Sequence, residues 1–215
     1  MSYSSCLNET RDDLVLDTSV FINLSGSRAC GQILSALPNR VLMTREASEE
    51  LVPDVKRERD DRAVLEAQIN AGRIEIIDLG AAGRERFEQL ISDPERPLGD
   101  GEAATIAAAE ERGLIAVIDE KRARSLMPDE RLASSVDLFA HEEVAKQLGG
   151  MKQGQATFNA LTHARMAVQE DQRNWAIETV GKERAAHCNS LPRFKEIALE
   201  TAQRQERQKE GESER

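Results

Sequence analysis

Acidic residues at four places set the chemistry available to this chain. Asp17 ends the run Leu14-Val15-Leu16 and opens Asp17-Thr18-Ser19. Glu50 lies in Thr44-Arg45-Glu46-Ala47-Ser48-Glu49-Glu50-Leu51, Glu102 follows Leu98-Gly99-Asp100-Gly101, and Asp119 ends Leu114-Ile115-Ala116-Val117-Ile118. Carboxylates held within a few ångströms of one another repel, and each raises its neighbours' pKa unless a hard cation such as Mg2+ or Mn2+ neutralises them. Each acid also has an ordinary structural role. Asp17 or Ser19 suits a helix cap, Asp100 a second cap with Glu102 complementing the helix dipole, and Asp119-Glu120 a solvated turn with Lys121, Arg122 and Arg124. On a helix Glu50 shares the inward face with Ala47 and Leu51, whereas Glu46 and Glu49 turn towards solvent.

The elements that would position these acids follow from periodicity. Short apolar runs at 14–18, 40–43, 73–77 and 114–118, with a weaker one at 133–137, read as strands. Helical patterns at about 28–37, 44–52, 57–71, 81–92, 101–112, 120–126 and 138–148 fill the gaps, which predicts βαβ units and a parallel sheet. Right-handed crossovers then place helices on both faces. In such a sheet the strand C-termini and the starts of the following helices meet at one pole, so all four acidic places fall there, with Asp17 and Asp119 side by side.

Composition narrows the function classes. The 215 residues suffice for one α/β domain plus an appendage. Aromatics make up only 3%, which limits base stacking as a binding strategy. The net charge is −10; residues 141–215 carry 12 acids and 12 Lys/Arg, leaving 27 acids against 17 bases in the front part. An acidic chain is a poor general binder of the phosphate backbone, so a nucleic acid must be recognised locally or through metal ions. No apolar stretch approaches the ~20 residues of a membrane span, and the first residues lack a signal-peptide pattern, so a soluble, cytoplasmic protein is expected. Cys6, Cys30 and Cys188 are too scattered for a metal site and read as reduced thiols, and His141, His163 and His187 carry no evident chemistry.

The motifs together resemble a PIN domain, the metal-dependent ribonuclease fold typical of toxin–antitoxin toxins. The resemblance covers about residues 13–145 and rests on Leu-Val-Leu-Asp17-Thr-Ser, Glu50-Leu51, Leu-Gly-Asp-Gly-Glu102-Ala and Val-Ile-Asp119-Glu-Lys-Arg-Ala-Arg. It implies a three-layer α/β/α fold around a mostly parallel five-stranded sheet, with Asp17, Glu50, Glu102 and Asp119 as the catalytic quartet and Ser19 orienting Asp17. Mg2+ or Mn2+ would be held by Asp17, Glu102 and Asp119, with Asp100 as an added ligand and Glu120 as an alternative to Asp119. The implied reaction is hydrolysis of single-stranded RNA, and a small antitoxin and a second copy of the chain are the implied partners. Arg45, Lys121, Arg122 and Arg124 lie near the expected site and are candidates for RNA-backbone contacts.

Two rival readings remain at this level. Asp17 after an apolar strand and Leu-Gly-Asp100-Gly also resemble pieces of a haloacid-dehalogenase-type phosphatase, but that chemistry needs an acid where Ser19 stands. An inactive domain of the same fold, acting as a binding module through its tail, is the other. Gly149-Gly150 marks the expected boundary between a nuclease domain (1–149) and a helical extension (150–202), with 203–215 expected to be disordered. Ile177 and Val180, then Phe194, Ile197, Ala198 and Thr201, recur at helical spacing, which predicts packing against the parent domain or a partner-binding arm.

Overall fold

The computed structural model describes residues 3–53, 60–199 and 201–203. The strands are β1 (Leu14–Leu16), β2 (Val41–Thr44), β3 (Glu75–Ile77), β4 (Ile115–Val117) and β5 (Leu132–Ala133). They form one all-parallel sheet in the order β3-β2-β1-β4-β5, so the first strand made lies at its centre. The first crossover carries α1 (Thr18–Gly26) and α2 (Cys30–Ala36), and the second α3 (Arg45–Glu49) and α4 (Asp61–Asn70). The third holds α5 (Ala81–Ile91) and α6 (Asp100–Arg112), and the fourth the short α7 (Lys121–Arg124). After β5 come α8 (Ser135–Ala140), α9 (Glu142–Asn159), α10 (Arg173–Val180) and α11 (Lys182–Ala185), with helical backbone again at 194–199.

Period-two alternation divides the core. Leu14, Leu16, Val41, Met43, Ile115 and Val117 face one apolar layer with Phe21, Leu24 and Phe139, while Val15, Leu42, Ala116 and Ile118 face the other, against Ala103, Ala104, Ile106 and Ala107 of α6. The alanines of α6 let that helix lie close to the sheet, and Gly113, at φ 68°, ends it in the left-handed conformation that suits glycine. The result is the expected three-layer α/β/α arrangement.

Several element boundaries differ from the sequence expectation for identifiable reasons. The weak strand expected at 133–137 is cut to Leu132–Ala133, because Ser134 and Asp137 form a capping box that starts α8 instead. The strand expected at 14–18 ends at Leu16, since Asp17 is already the cap of α1. Of the helix expected at 57–71, residues 57–59 lie outside the described residues, and α4 begins at Asp61. The helix expected at 138–148 is two helices separated at His141, whose side chain accepts a hydrogen bond from Glu143 N.

Gly149 is a kink (φ 70°, ψ 157°) inside α9. Beyond it, Ala156, Leu161, Met166, Ala176, Val180, Leu191 and Ile197 are buried in the same apolar cluster as Leu14 and Leu16, so the residues of the extension pack on the sheet domain. The expected disordered tail, apart from Gln203, lies outside the described residues.

Candidate functional site

Register fixes how the two strand-terminal aspartates meet. Leu16 pairs with Val117, and Asp17 N donates to Val117 O, so Asp17 sits opposite Ile118 and Asp119 follows one residue further along. The two are therefore staggered rather than directly side by side. Asp17 is 2% exposed and caps α1, accepting hydrogen bonds from Ser19 N (3.1 Å) and Ser19 Oγ. Its capping role and its place at the acidic pole are the same geometry. Burial raises its pKa, the Ser19 donors oppose that rise, and Glu50 adds to it.

Glu50 is the C-terminal cap residue of α3, and its carboxylate turns inward although the residue as a whole is exposed. Oε2 accepts from Thr18 Oγ1 at 2.6 Å and Oε1 from Gly101 N at 2.7 Å. Gly101 is the second residue of α6, so its amide is one of the helix's unpaired donors and favours an anion. A Cβ on Gly101 would overlap both Glu50 Oε2 and Thr18 Oγ1. Neither Thr18 nor Gly101 stood out as a site residue in the sequence, although the glycine was visible in Leu-Gly-Asp-Gly-Glu.

Glu102, one residue on, is half-buried. Burial is the main cause of its raised pKa, followed by repulsion from Asp17 and then Glu120, with Glu50 contributing less. Asp119 is buried; Ser135 N donates to its Oδ1 at 2.8 Å, and Asn23 Nδ2 (2.8 Å) and Ser135 Oγ (2.6 Å) donate to its Oδ2. Burial pushes its pKa up to about 6, with Ser135 lowering it and Asp17 adding to the rise. Glu120 caps α7, accepting from Ala123 N at 2.8 Å. The structure thus brings Asp17, Glu50, Glu102 and Asp119 to one pole and places Glu120 within electrostatic reach of Glu102. Asp100 is exposed in the first turn of α6, where Gly99 rather than Asp100 is the cap residue.

The basic candidates divide by what already holds them. Arg45 makes a two-pronged pair with Asp78 on the surface (2.6 and 3.2 Å). Arg122 Nη1 donates to Pro97 O, and Arg124 Nη1 to Ile118 O and Ala133 O, tying together the ends of β4 and β5. Lys121 is exposed and makes no ion pair among the described residues. Asn23 and Ser135 are the other site residues that sequence reasoning missed; the trace of Asn23 was one amide on the buried face of α1, beside Val20, Phe21 and Leu24.

A family model described as a PIN domain matches residues 13–182. The chain belongs to the PIN-domain family. The match runs past the Gly149 kink and through α10, further than the four acidic motifs themselves extend. No curated protein and no solved structure matches the chain. A PIN domain is a nuclease-type fold, and such domains are typically dependent on a divalent metal. The donor set here, carboxylates and hydroxyls without thiolate or imidazole, fits a hard cation such as Mg2+ or Mn2+. Among the described residues, no three acidic, His or Cys side chains stand close enough to form a ready-made cage, and the carboxylates of Asp17, Glu50 and Asp119 rest on protein donors. The described part of this PIN domain contains no helix long and apolar enough to cross a membrane.

Proposed function

We propose that the protein is an Mg2+- or Mn2+-dependent endoribonuclease acting on single-stranded RNA in the cytoplasm, the toxin of a toxin–antitoxin pair. The observation that carries this reading is the convergence of Asp17, Glu50, Glu102 and Asp119, from four separate segments, with Asp17 repelling both Glu102 and Asp119. Buried, mutually repelling carboxylates are held at a cost that a bound cation offsets. Asp17, Glu102 and Asp119 would hold the metal, with Asp100 on the rim, and bound Mg2+ or Mn2+ supplies Lewis acidity and charge neutralisation for phosphodiester hydrolysis. Ser19 fixes the Asp17 carboxylate, and Thr18 with Gly101 fixes that of Glu50. Lys121 offers exposed positive charge to the RNA backbone and Arg45 would do so by exchanging Asp78 for a phosphate, whereas Arg122 and Arg124 chiefly brace the loops around the site.

The Asp17–Ser19 contact weighs against phosphatase chemistry, since Ser19 occupies the place where the second acid would be needed. A small antitoxin with a basic side chain would complement the acidic pole, and the toxin would act as a homodimer. The test is cleavage of a labelled single-stranded RNA in Mn2+. Wild-type protein should cleave, EDTA should stop it, and Asp17→Asn should abolish activity with circular dichroism unchanged. Cleavage that survives EDTA overturns the mechanism, and absence of specific Mn2+ binding favours an inactive binding module.

A further inference from the structure

We propose that Gln172, in the C-terminal helical extension, is a positioning residue for Asp119. Its influence would pass through the Ser134-Ser135 turn. Ser135 holds Asp119 through both its amide and its hydroxyl, and Asn23 Nδ2 bridges Asp119 Oδ2 and Ser135 Oγ (3.0 Å). The preceding residue faces the other way. Ser134 Oγ donates to Asp137 Oδ2 (2.7 Å) and accepts from Gln172 Nε2 (2.8 Å), and Ser134 N also donates to Asp137 Oδ2 (2.8 Å).

Gln172 has every polar atom committed. Its second amide proton goes to Tyr3 OH (3.0 Å), which in turn donates to Asp137 Oδ1 (2.6 Å), and its Oε1 accepts from Gln169 N (3.0 Å). Gln169 Nε2 reaches Asp119 O (3.4 Å). Asp119, Asn23, Ser134, Ser135, Asp137 and Gln172 are all buried, so these groups have no ready access to water as an alternative partner. A polar network closed in this way fixes the orientation of its members. The two adjacent serines form a rigid turn with Asp119 on one side and Gln172 on the other. The extension thereby supports, just beyond the C-terminal ends of β4 and β5, a site that all four acidic motifs build without it.

The catalytic part of this inference rests on the nuclease reading, and its positional part does not. Gln172→Met keeps the side chain's length and removes its hydrogen bonds. Asn159→Leu is the control: it loosens the same extension where Asn159 Nδ2 donates to Ser27 O, at the far end of α1 from Asp17. The Ser135 amide resonance reports the Asp119 contact without metal or substrate. Gln172→Met should shift that resonance and raise its exchange rate, and lower kcat and Mn2+ affinity about tenfold or more, with KM for RNA unchanged. Asn159→Leu, compared at equal distance below its Tm, should leave all of these within twofold. An unmoved Ser135 resonance in Gln172→Met, a moved resonance with kcat and Mn2+ affinity intact, or equal effects in Asn159→Leu overturns the proposal. Wild-type protein that neither cleaves RNA nor binds Mn2+ refutes the nuclease reading instead, and the positional coupling is then decided by the Ser135 resonance alone.

Discussion

Replacing Gly101 by Ala is expected to cost the protein little stability and most of its activity. The new Cβ would occupy the place where Glu50 Oε2 and Thr18 Oγ1 meet, and would lie 2.9 Å from Glu50 Cδ. Glu50 is on the exposed rim, so its flexible side chain swings to water, and the buried Thr18 hydroxyl, which must also give way, turns to its other acceptor, Ala47 O, while the helix stays in place. The charged hydrogen bond from Gly101 N is then lost, at about 1.5–3 kcal/mol. Alanine in place of a helical glycine returns about 0.8–1 kcal/mol. The net loss of about 1–2 kcal/mol corresponds to roughly 2–8 °C in Tm for a chain of this size. Displacing the Glu50 carboxylate by an ångström or more should lower cleavage of single-stranded RNA about a hundredfold. Both quantities are measured on one preparation, by thermal denaturation and by gel-resolved cleavage in Mn2+ well below either Tm. Activity within twofold of wild type would refute the reasoning, because it would mean that Glu50 tolerates losing both partners. So would a collapse in Tm far beyond the range given, because it would mean that the backbone rather than the Glu50 side chain gives way.

Three further outcomes are expected. Burial raises the folded-state pKa of Asp119 from 3.8 to about 6, so the folded metal-free chain holds a proton that the unfolded chain has released. That contribution is fully present below the unfolded value and lost as pH rises through about 6, so in EDTA wild type should lose stability relative to Asp119→Asn over this window, on the order of 3 kcal/mol; a difference in Tm that does not vary with pH counts against it. Arg124→Ala should cost about 2 kcal/mol in urea denaturation by removing a charged donor shared by two carbonyls, of which Ala133 O keeps the Ile118 amide and Ile118 O is left without a donor, whereas Arg45→Ala, which removes an exposed pair, should stay close to wild type. Lys121→Ala should weaken RNA binding uniformly across sequences and reduce the slope of log affinity against log salt by about one, without moving Tm; an unchanged slope would remove Lys121 from the RNA path.

What was legible in the sequence was whatever a single segment carries. Strands running into Asp17 and Asp119, and the Gly-Asp-Gly-Glu102 opening of α6, announced a parallel sheet with acids at one pole, because period and caps are local signals. What was not legible depends on pairs far apart in the chain. The Thr18–Glu50–Gly101 clasp joins three elements through a space that only the missing Cβ of a glycine leaves open. The one-residue stagger of Asp17 and Asp119 is a matter of register, which neither strand encodes alone. The overlong fifth strand is a different kind of miss, since Ser134-Ser135-Val136-Asp137 is a readable capping signal that its β-branched valine obscured. Gly149-Gly150 reads as punctuation in the sequence, and in the structure Gly149, at φ 70°, redirects α9 while residues beyond it share the core.

The order of the strands in the sheet also sets a timetable. The central strand that delivers Asp17 has one neighbour made soon after it and another, β4, made much later. At ~5–20 residues per second of synthesis, about 5–20 seconds separate the appearance of Asp17 from that of Asp119 about a hundred residues on, and Gln172 follows later still. A nascent chain shorter than about 120 residues therefore lacks a strand of its sheet and the last of the four acids. Chain topology alone thus keeps the acidic pole incomplete until more than half of the chain has been made.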